Sequence, residues 1–585
     1  MYLSRREFMK MLAAGAAIGL WSPGTSTAKS AVAGSTSILS SDNASDIYDF
    51  QPFGNVSLIH FTDSHAQLLP SFYREPNIHL GIGKEMEGEV PHVVGQDFLK
   101  RYGIDNKSID AYALTFLDFP EMAQKYGRTG GFAHIATLIK YIRSTRPNSL
   151  LLDGGDTWQG SATALWTNAQ DMVDASLLLG VDIMTGHWEF TYGVDRVRHV
   201  LENDFKDKIE FVAQNITDLE FEDLVFKPYT LREVNNTKVA VIGQAFPYTP
   251  IANPRHLISN WQFGISEVRL QEHVDKARAA GAQVVVLLSH NGMDIDLKLA
   301  KRVRGIDAIL GGHTHDAVPA AVEIRNPGGV TLVMNSGTNG KFVSLLDLYV
   351  KNGRIRDYKY KLIPVFSNMI NPDPAMQAHI DKVRAPYVEK LDRKIAVTDG
   401  LLYRRGTFNG TFDQIIVDAL LERMDGEVAF SPGFRWGTTV LPNTYITYED
   451  VMSQTAITYP EVRMTEVTGA QLKDFLEDIA DNRFSPDPYL QQGGDMVRVG
   501  ALKYTINPKA NINHRIEDME LNGKKIMASK KYKLVSWASV QDPKPGPKIW
   551  DVVVDYLNDK RIVRTADLNV PKIKNVENNP GINLG

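Results

Sequence analysis

The sequence predicts an α/β protein of two large domains, and three features carry that prediction. A chain of 585 residues is too long for one hydrophobic core and divides into domains. Five short apolar runs, rich in Val, Leu and Ile, read as buried strands. Between and after them, strand and helix patterns alternate to about Pro364, with helical periods near residues 132–143, 265–280 and 295–303.

The elements follow in chain order. Arg5-Arg6 within Ser4–Lys10 precedes an uncharged apolar stretch, residues 11–21, too short to span a bilayer, and small-residue cleavage candidates end at Ala28 or Ala33. Residues 1–33 therefore read as a twin-arginine export signal, which predicts a periplasmic enzyme without stable membrane association. A Ser/Ala-rich linker covers 34–53. The first domain spans 54–366 and is interrupted at 72–128 by an insertion without strand period, expected to be a lid or wall of the cleft, or else a surface excursion. Pro372-Asp373-Pro374 opens a helix over 375–391 within a connector, 367–394. A second mixed α/β domain spans 395–570, and 571–585 form a tail. The net charge of -5 argues against nucleic acid as a partner. Without cysteine there is neither a disulfide framework nor a thiol nucleophile.

Each apolar run ends in potential metal ligands: Asp63 and His65, the Gly154-Gly155-Asp156 turn, His187, His290, and His313 with His315. Open α/β sheets place their chemistry beyond the carboxyl ends of strands, so these groups converge. Asp63-x-His65 and His313-x-His315 would leave an extended backbone on one face, each pair gripping one site. Ions roughly 3.5–4 Å apart need a shared carboxylate, and Asp156 is the candidate bridge. Five imidazoles and two carboxylates suit zinc by ligand preference. Glu189 and Asp316 are candidates to orient the histidines or to cap strand ends.

The order Asp-x-His, Gly-Asp, Gly-x-x-Glu, Ser-His, Gly-Gly-His-x-His, followed by an α/β domain, resembles the calcineurin-like metallophosphoesterases of the 5′-nucleotidase family. That resemblance implies a four-layer αββα first domain and a 5′-nucleotidase-like second domain. It also implies that Asp63, His65, Asp156 and His315 hold one ion, and Asp156, His187, His290 and His313 the other. Where nucleotidases carry Gly-Asn-His-Glu, this chain reads Gly186-His187-Trp188-Glu189. With the export signal, the insertion and the Tyr126–Gly131 segment, this departure resembles the thiosulfohydrolases of the periplasmic sulfur-oxidation (Sox) pathway. The resemblance then implies two Mn2+ ions, with Zn2+ the alternative, and hydrolysis of a cysteine S-thiosulfonate on the swinging arm of a sulfur-carrier protein, SoxYZ.

Leaving-group chemistry supports the change at Trp188. An alkoxide, with a conjugate acid near a pKa of about 15.7, needs help to leave, whereas a thiolate, near about 8.5, does not. Ser431–Gly437 resembles the Gly-x-Arg segment of nucleotidases, which makes Arg435 the expected sulfonate clamp. Arg404 and Arg405 are weaker substrate-binding candidates. The competing functions are an exported 5′-nucleotidase or 2′,3′-cyclic phosphodiesterase, and a non-catalytic carrier-docking module.

Overall fold

The computed structural model describes residues 47–83, 86–541, 545–565 and 567–583. The export signal and most of the linker lie outside the described residues. Among those described, no helix is long and apolar enough to cross a membrane.

Among the described residues, twelve strands form the two main sheets of the first domain: β1 (Val56–Phe61), β2 (Leu150–Asp153), β3 (Ile183–Met184), β4 (Glu210–Phe211), β5 (Tyr229–Val234), β6 (Thr237–Gln244), β7 (Val284–Ser289), β8 (Ala308–Gly311), β9 (Val322–Asn326), β10 (Gly329–Asn335), β11 (Phe342–Lys351) and β12 (Arg354–Pro364). They form two six-stranded sheets, ordered β12-β11-β1-β2-β3-β4 and β9-β10-β8-β7-β6-β5. Strands β1 to β4 pair in parallel, as do β6, β7, β8 and β10. The alternation of side chains along a strand explains the layering. Leu58, Leu152, Val286 and Leu288 fill the space between the sheets. Ile59, Phe61 and Leu151 point outward onto the helix Phe132–Thr145, while Val285 and Leu287 meet Leu270, Val274 and Leu299 of the helices Glu267–Ala279 and Met293–Arg302. The result is helix, sheet, sheet, helix: the four layers.

The connector departs from the single helix expected over 375–391. It runs as Pro374–Arg384 and then Val388–Leu391, because Pro386 brings no N–H and cannot sit inside a continuous helix. Asp373 caps the first piece by accepting from the Met376 amide. The second domain is also mixed α/β. Its four-stranded sheet, ordered Val462–Thr468, Lys531–Trp537, Val428–Ser431, Arg498–Gly500, carries the helices Thr411–Arg423 and Ile549–Lys560.

The 72–128 insertion holds three helices, Gly95–Tyr102, Ile109–Leu114 and Phe119–Tyr126. Its leading segment is bonded to both domains. Glu75 pairs with buried Lys341 at 2.7 Å and His79 with Asp316 at 3.3 Å on one side. On the other, the Phe72 and Ile78 carbonyls accept from the Thr439 and Thr407 amides. The tail is equally tied in: Ile582 bridges to Ile78, and the His79 amide donates to Gly581 O at 2.7 Å.

Candidate metal centre

Both sheets present the carboxyl ends of their parallel strands along one edge, and all seven candidate ligands lie just beyond those ends. Asp63 and His65 follow β1, Asp156 follows β2, His187 follows β3, His290 follows β7, and His313 and His315 follow β8. The backbone there is not extended. Asp63, His65, Asp156, His313 and His315 have φ of 51°, 45°, 59°, 73° and 60°, the left-handed region that disfavours side chains. Mutual bonds hold them: the Asp63 amide donates to Gly155 O and the His65 amide to Asp156 O, both at 2.8 Å. The His313 amide donates to the Asp63 carboxylate at 3.0 Å. Gly312 is required by crowding, since a Cβ there would meet Thr62 Oγ1 at 2.4 Å and His290 Nδ1 at 2.9 Å.

Two buried groups result. Asp63, His65, Asp156 and His315 form one, and Asp156, His187, His290 and His313 the other, with ligand atoms within 4.8 Å in each. These are the two sets that the family resemblance implies, sharing Asp156. The extended-pair argument fails for the second motif: His313 and His315 fall in different groups, since neither holds the extended backbone that the argument requires.

The donor atoms fit divalent ions. Asp156 Oδ2 lies 3.2 Å from His187 Nδ1, 3.1 Å from His290 Nε2 and 3.7 Å from His65 Nε2. His65 and His315 face each other Nε2 to Nε2 at 3.0 Å, with Asp63 Oδ1 3.2 Å from His315 Nε2. Two lone-pair nitrogens so placed beside carboxylates suit a common cation. Burial pushes His65 down to about 4 and holds His187, His313 and His315 below the usual imidazole range, keeping them neutral, as ligands must be. His290 differs. Burial lowers it, but the Asp156 and Asp63 carboxylates outweigh that and push it up to about 10.

Surrounding groups aim the ligands. Gly154 O faces His290 Nδ1 at 2.6 Å and Gln159 O faces His65 Nδ1 at 3.2 Å, leaving each Nε2 inward. Glu189 touches no histidine ring. Its Oε2 accepts from the amides of Asp156 (3.2 Å) and His187 (2.8 Å), and its Oε1 from those of Thr157 (2.7 Å) and Trp158 (3.3 Å), so it caps two ligand loops at once. Asp316 faces His79 of the insertion.

A cavity of about 410 Å³ lies between the two groups and the second domain. Its walls include Trp188, Phe434, Arg435, Trp436 and Trp537. Trp188 donates its amide to Asp156 Oδ1 at 2.8 Å and packs edge-on against Trp436 and Phe434 at 5.2 and 5.5 Å. Arg435 is the arginine on the cavity wall; its guanidinium bonds Gly494 O at 2.9 Å and His313 O at 3.3 Å. Burial, against the nearby Asp495, lowers it to about 10, which leaves it cationic at neutral pH. Arg404 and Arg405 do not line the cavity. Arg404 is spent on Asp413 and Gln454 O, and Arg405 on Asp495 and Thr314 O.

Sequence reasoning missed Phe246, which stacks on His313 at 4.0 Å and packs on His187 at 4.2 Å. It also missed the Gln492–Asp495 edge of the cavity, although Gly493-Gly494-Asp495 repeats the Gly154-Gly155-Asp156 tripeptide.

Comparison with known proteins agrees with this architecture. Residues 394–546 match the family model "5'-nucleotidase, C-terminal domain". The chain is 27% identical over 304 residues to snake venom 5′-nucleotidase of Naja atra, covering 48% of this chain and 55% of that protein. With 5′-nucleotidase of Bos taurus it is 24% identical over 432 residues, covering 67% and 72%. The chain spans about half the length of several of the curated nucleotidases it matches. Among solved structures, the 5′-nucleotidase precursor of Thermus thermophilus superposes with a TM-score of 0.70 at 20% identity, covering 89% of this chain and 99% of that one. The sulfate thiohydrolase SoxB of Thermus thermophilus superposes with a TM-score of 0.85 at 36% identity, covering 90% and 98%. Fold and site together define a two-domain hydrolase architecture of the 5′-nucleotidase class. Within that class, the chain belongs to the SoxB family.

Proposed function

We propose that this protein is an exported, periplasmic thiosulfohydrolase that releases sulfate from a cysteine S-thiosulfonate carried by SoxYZ, using two divalent ions, Mn2+ in preference to Zn2+. The observation that carries the reading is Trp188. It stands on the cavity wall beside the shared carboxylate Asp156, where a nucleotidase has an imidazole, within a chain similar to SoxB along nine-tenths of its length.

Asp63, His65, Asp156 and His315 would hold one ion, and Asp156, His187, His290 and His313 the other. When bound, such a pair supplies Lewis acidity and a water nucleophilic at neutral pH. The chain does the rest. Arg435 presents a planar cation to sulfonate oxygens. Trp188, Phe434 and Trp436 exclude water and give the departing sulfur a polarizable, apolar wall. None of these three rings carries an acidic proton near neutral pH, and a sulfur leaving group requires none.

The test is direct. Sulfate release from a thiosulfonate-loaded carrier peptide is compared with phosphate release from AMP by the same metal-loaded enzyme. Sulfate release is expected to dominate by orders of magnitude. Efficient AMP hydrolysis without sulfate release would establish the nucleotidase reading, and neither product the docking module.

A further inference from the structure

We infer that Arg405 is a positioning residue for the metal centre: by bonding the Thr314 carbonyl from the second domain, it fixes the spacing between candidate ligands of both ion groups. This rests on the metal-binding reading above.

Thr314 lies between His313, which belongs to one group, and His315, which belongs to the other. Both flanking residues hold left-handed backbone, so the tripeptide stays in place only if its surroundings over-determine it. On its own side, the Thr314 amide bonds Gly312 O at 2.9 Å and its hydroxyl accepts from the Met293 amide at 3.1 Å. Its carbonyl looks the other way. Arg405 Nη2 donates to it at 2.8 Å across the domain boundary, while Nη1 faces Asp495 Oδ2 at 3.3 Å. One planar fork thus ties the ligand loop to Asp495, which a lysine point charge cannot reproduce.

The second-domain side of this tie is rigid. The Asp495 amide bonds Gly433 O at 2.9 Å, and its carboxylate also faces Arg498 at 3.3 Å. Gly493 is pressed so closely on His313 that a Cβ would meet Nε2 at 2.5 Å. Arg405 is 3% exposed and absent from the cavity wall, so its bonds to Asp495 and to the Thr314 carbonyl are structural, and a substrate in the cavity does not meet it.

The experiment uses the full chain with Mn2+ alone as the probe. Chelator competition measures stoichiometry and affinity for the wild type, Arg405→Met and Arg405→Lys, with thermal unfolding of the metal-free forms as the folding check. Removing a group that supports a ligand shell costs roughly 10–100-fold in metal affinity. That loss is expected for both ions in Arg405→Met, with a smaller one in Arg405→Lys. Wild-type affinity for both ions in folded Arg405→Met overturns the inference, and a raised KM at unchanged affinity returns Arg405 to substrate binding. Should Arg405→Met not fold, Asp495→Asn keeps the arginine but loosens its aim; weaker Mn2+ binding there supports the inference and wild-type binding refutes it. A wild type that takes up no Mn2+ is a separate result, which sinks the metal-centre reading itself.

Discussion

Replacing Glu189 by glutamine tests how the ligand loops are held. The carboxylate is fully buried and accepts four amide protons, two on each oxygen. Glutamine keeps one accepting oxygen and turns an NH2 toward the other two donors. Whichever way the amide settles, two buried N–H groups lose their partner, at about 1–3 kcal/mol each, or about 2–6 kcal/mol together. Relief of burial and of repulsion from the Asp156 carboxylate, which together raise the Glu189 carboxyl, offsets part of this, so the lower half of that range is expected. Burial, reinforced by Glu189, pushes Asp153 up to about 8, so at pH 7 that neighbour is mostly neutral already. For a domain of this size each kcal/mol moves the unfolding midpoint by about 2 °C, so thermal unfolding should occur roughly 4–8 °C lower. If the Oε2 side is the one lost, the Asp156 and His187 amides are freed, and retained metal should fall with the midpoint. Differential scanning calorimetry with elemental analysis reads both. A midpoint within a degree of wild type, with full metal content, would show that the four amides find other partners and that Glu189 does not hold the loops.

Asp156→Ala should lose both ions together, since its carboxylate belongs to both groups; elemental analysis showing one retained ion would assign the bridge elsewhere. Arg435→Ala should lower kcat/KM for the loaded carrier by roughly ten- to a hundredfold, the worth of one charge-assisted hydrogen bond of about 1.5–3 kcal/mol, with partial recovery in Arg435→Lys. It should retain its ions, because the Arg435 bond to His313 O is long at 3.3 Å. Trp188→His should raise phosphate release from AMP relative to sulfate release, and an unchanged ratio would remove Trp188 from leaving-group selection. Asp495 gives a pH test. Burial opposes its ionisation, but Arg405, Arg435 and Arg498 outweigh it and hold the carboxyl well below the usual range. A depressed folded pKa gives stability that is complete above the unfolded value of about 3.9 and lost as pH falls toward the folded one. The stability difference between wild type and Asp495→Asn should therefore be constant from pH 8 to about 5 and shrink only in stronger acid, as denaturant titrations can measure.

Much of the first domain was legible because its strands are buried on both faces and read as continuous aliphatic runs, as at Val284–Ser289. The candidate ligands stand where those runs stop, so type and order singled out residues that the fold brings together. What stayed hidden depends on contacts distant in sequence. Nothing local marks the insertion as a brace; only the pairing of Glu75 with Lys341, and of Ile78 with Thr407 and Ile582, reveals it. Arg404, Arg405 and Arg435 look alike as sequence, yet one guanidinium lines the cavity, one is buried against Asp413, and one reaches a carbonyl across the domain boundary. The split of His313 from His315 was invisible to spacing arguments, since the backbone there is left-handed and a strand period does not encode it.

That left-handed backbone recurs at five of the seven candidate ligands and ties the chemistry to the architecture. A non-glycine residue in this region costs roughly 1–2 kcal/mol, and five in adjoining loops would unwind if each stood alone. They do not stand alone. Asp63 receives the His313 amide, His65 donates to the loop of Asp156, and Asp156 with His187 hangs from Glu189, so relaxation of one loop breaks a bond of the next. The aliphatic layer between the sheets, which holds no polar side chain of the site, supplies the stability that the loops consume. The positions of the candidate ligands are therefore fixed by the loops' bonds to one another. The second domain, through Arg405 on the Thr314 carbonyl, adds to that preorganisation from the side of the cavity.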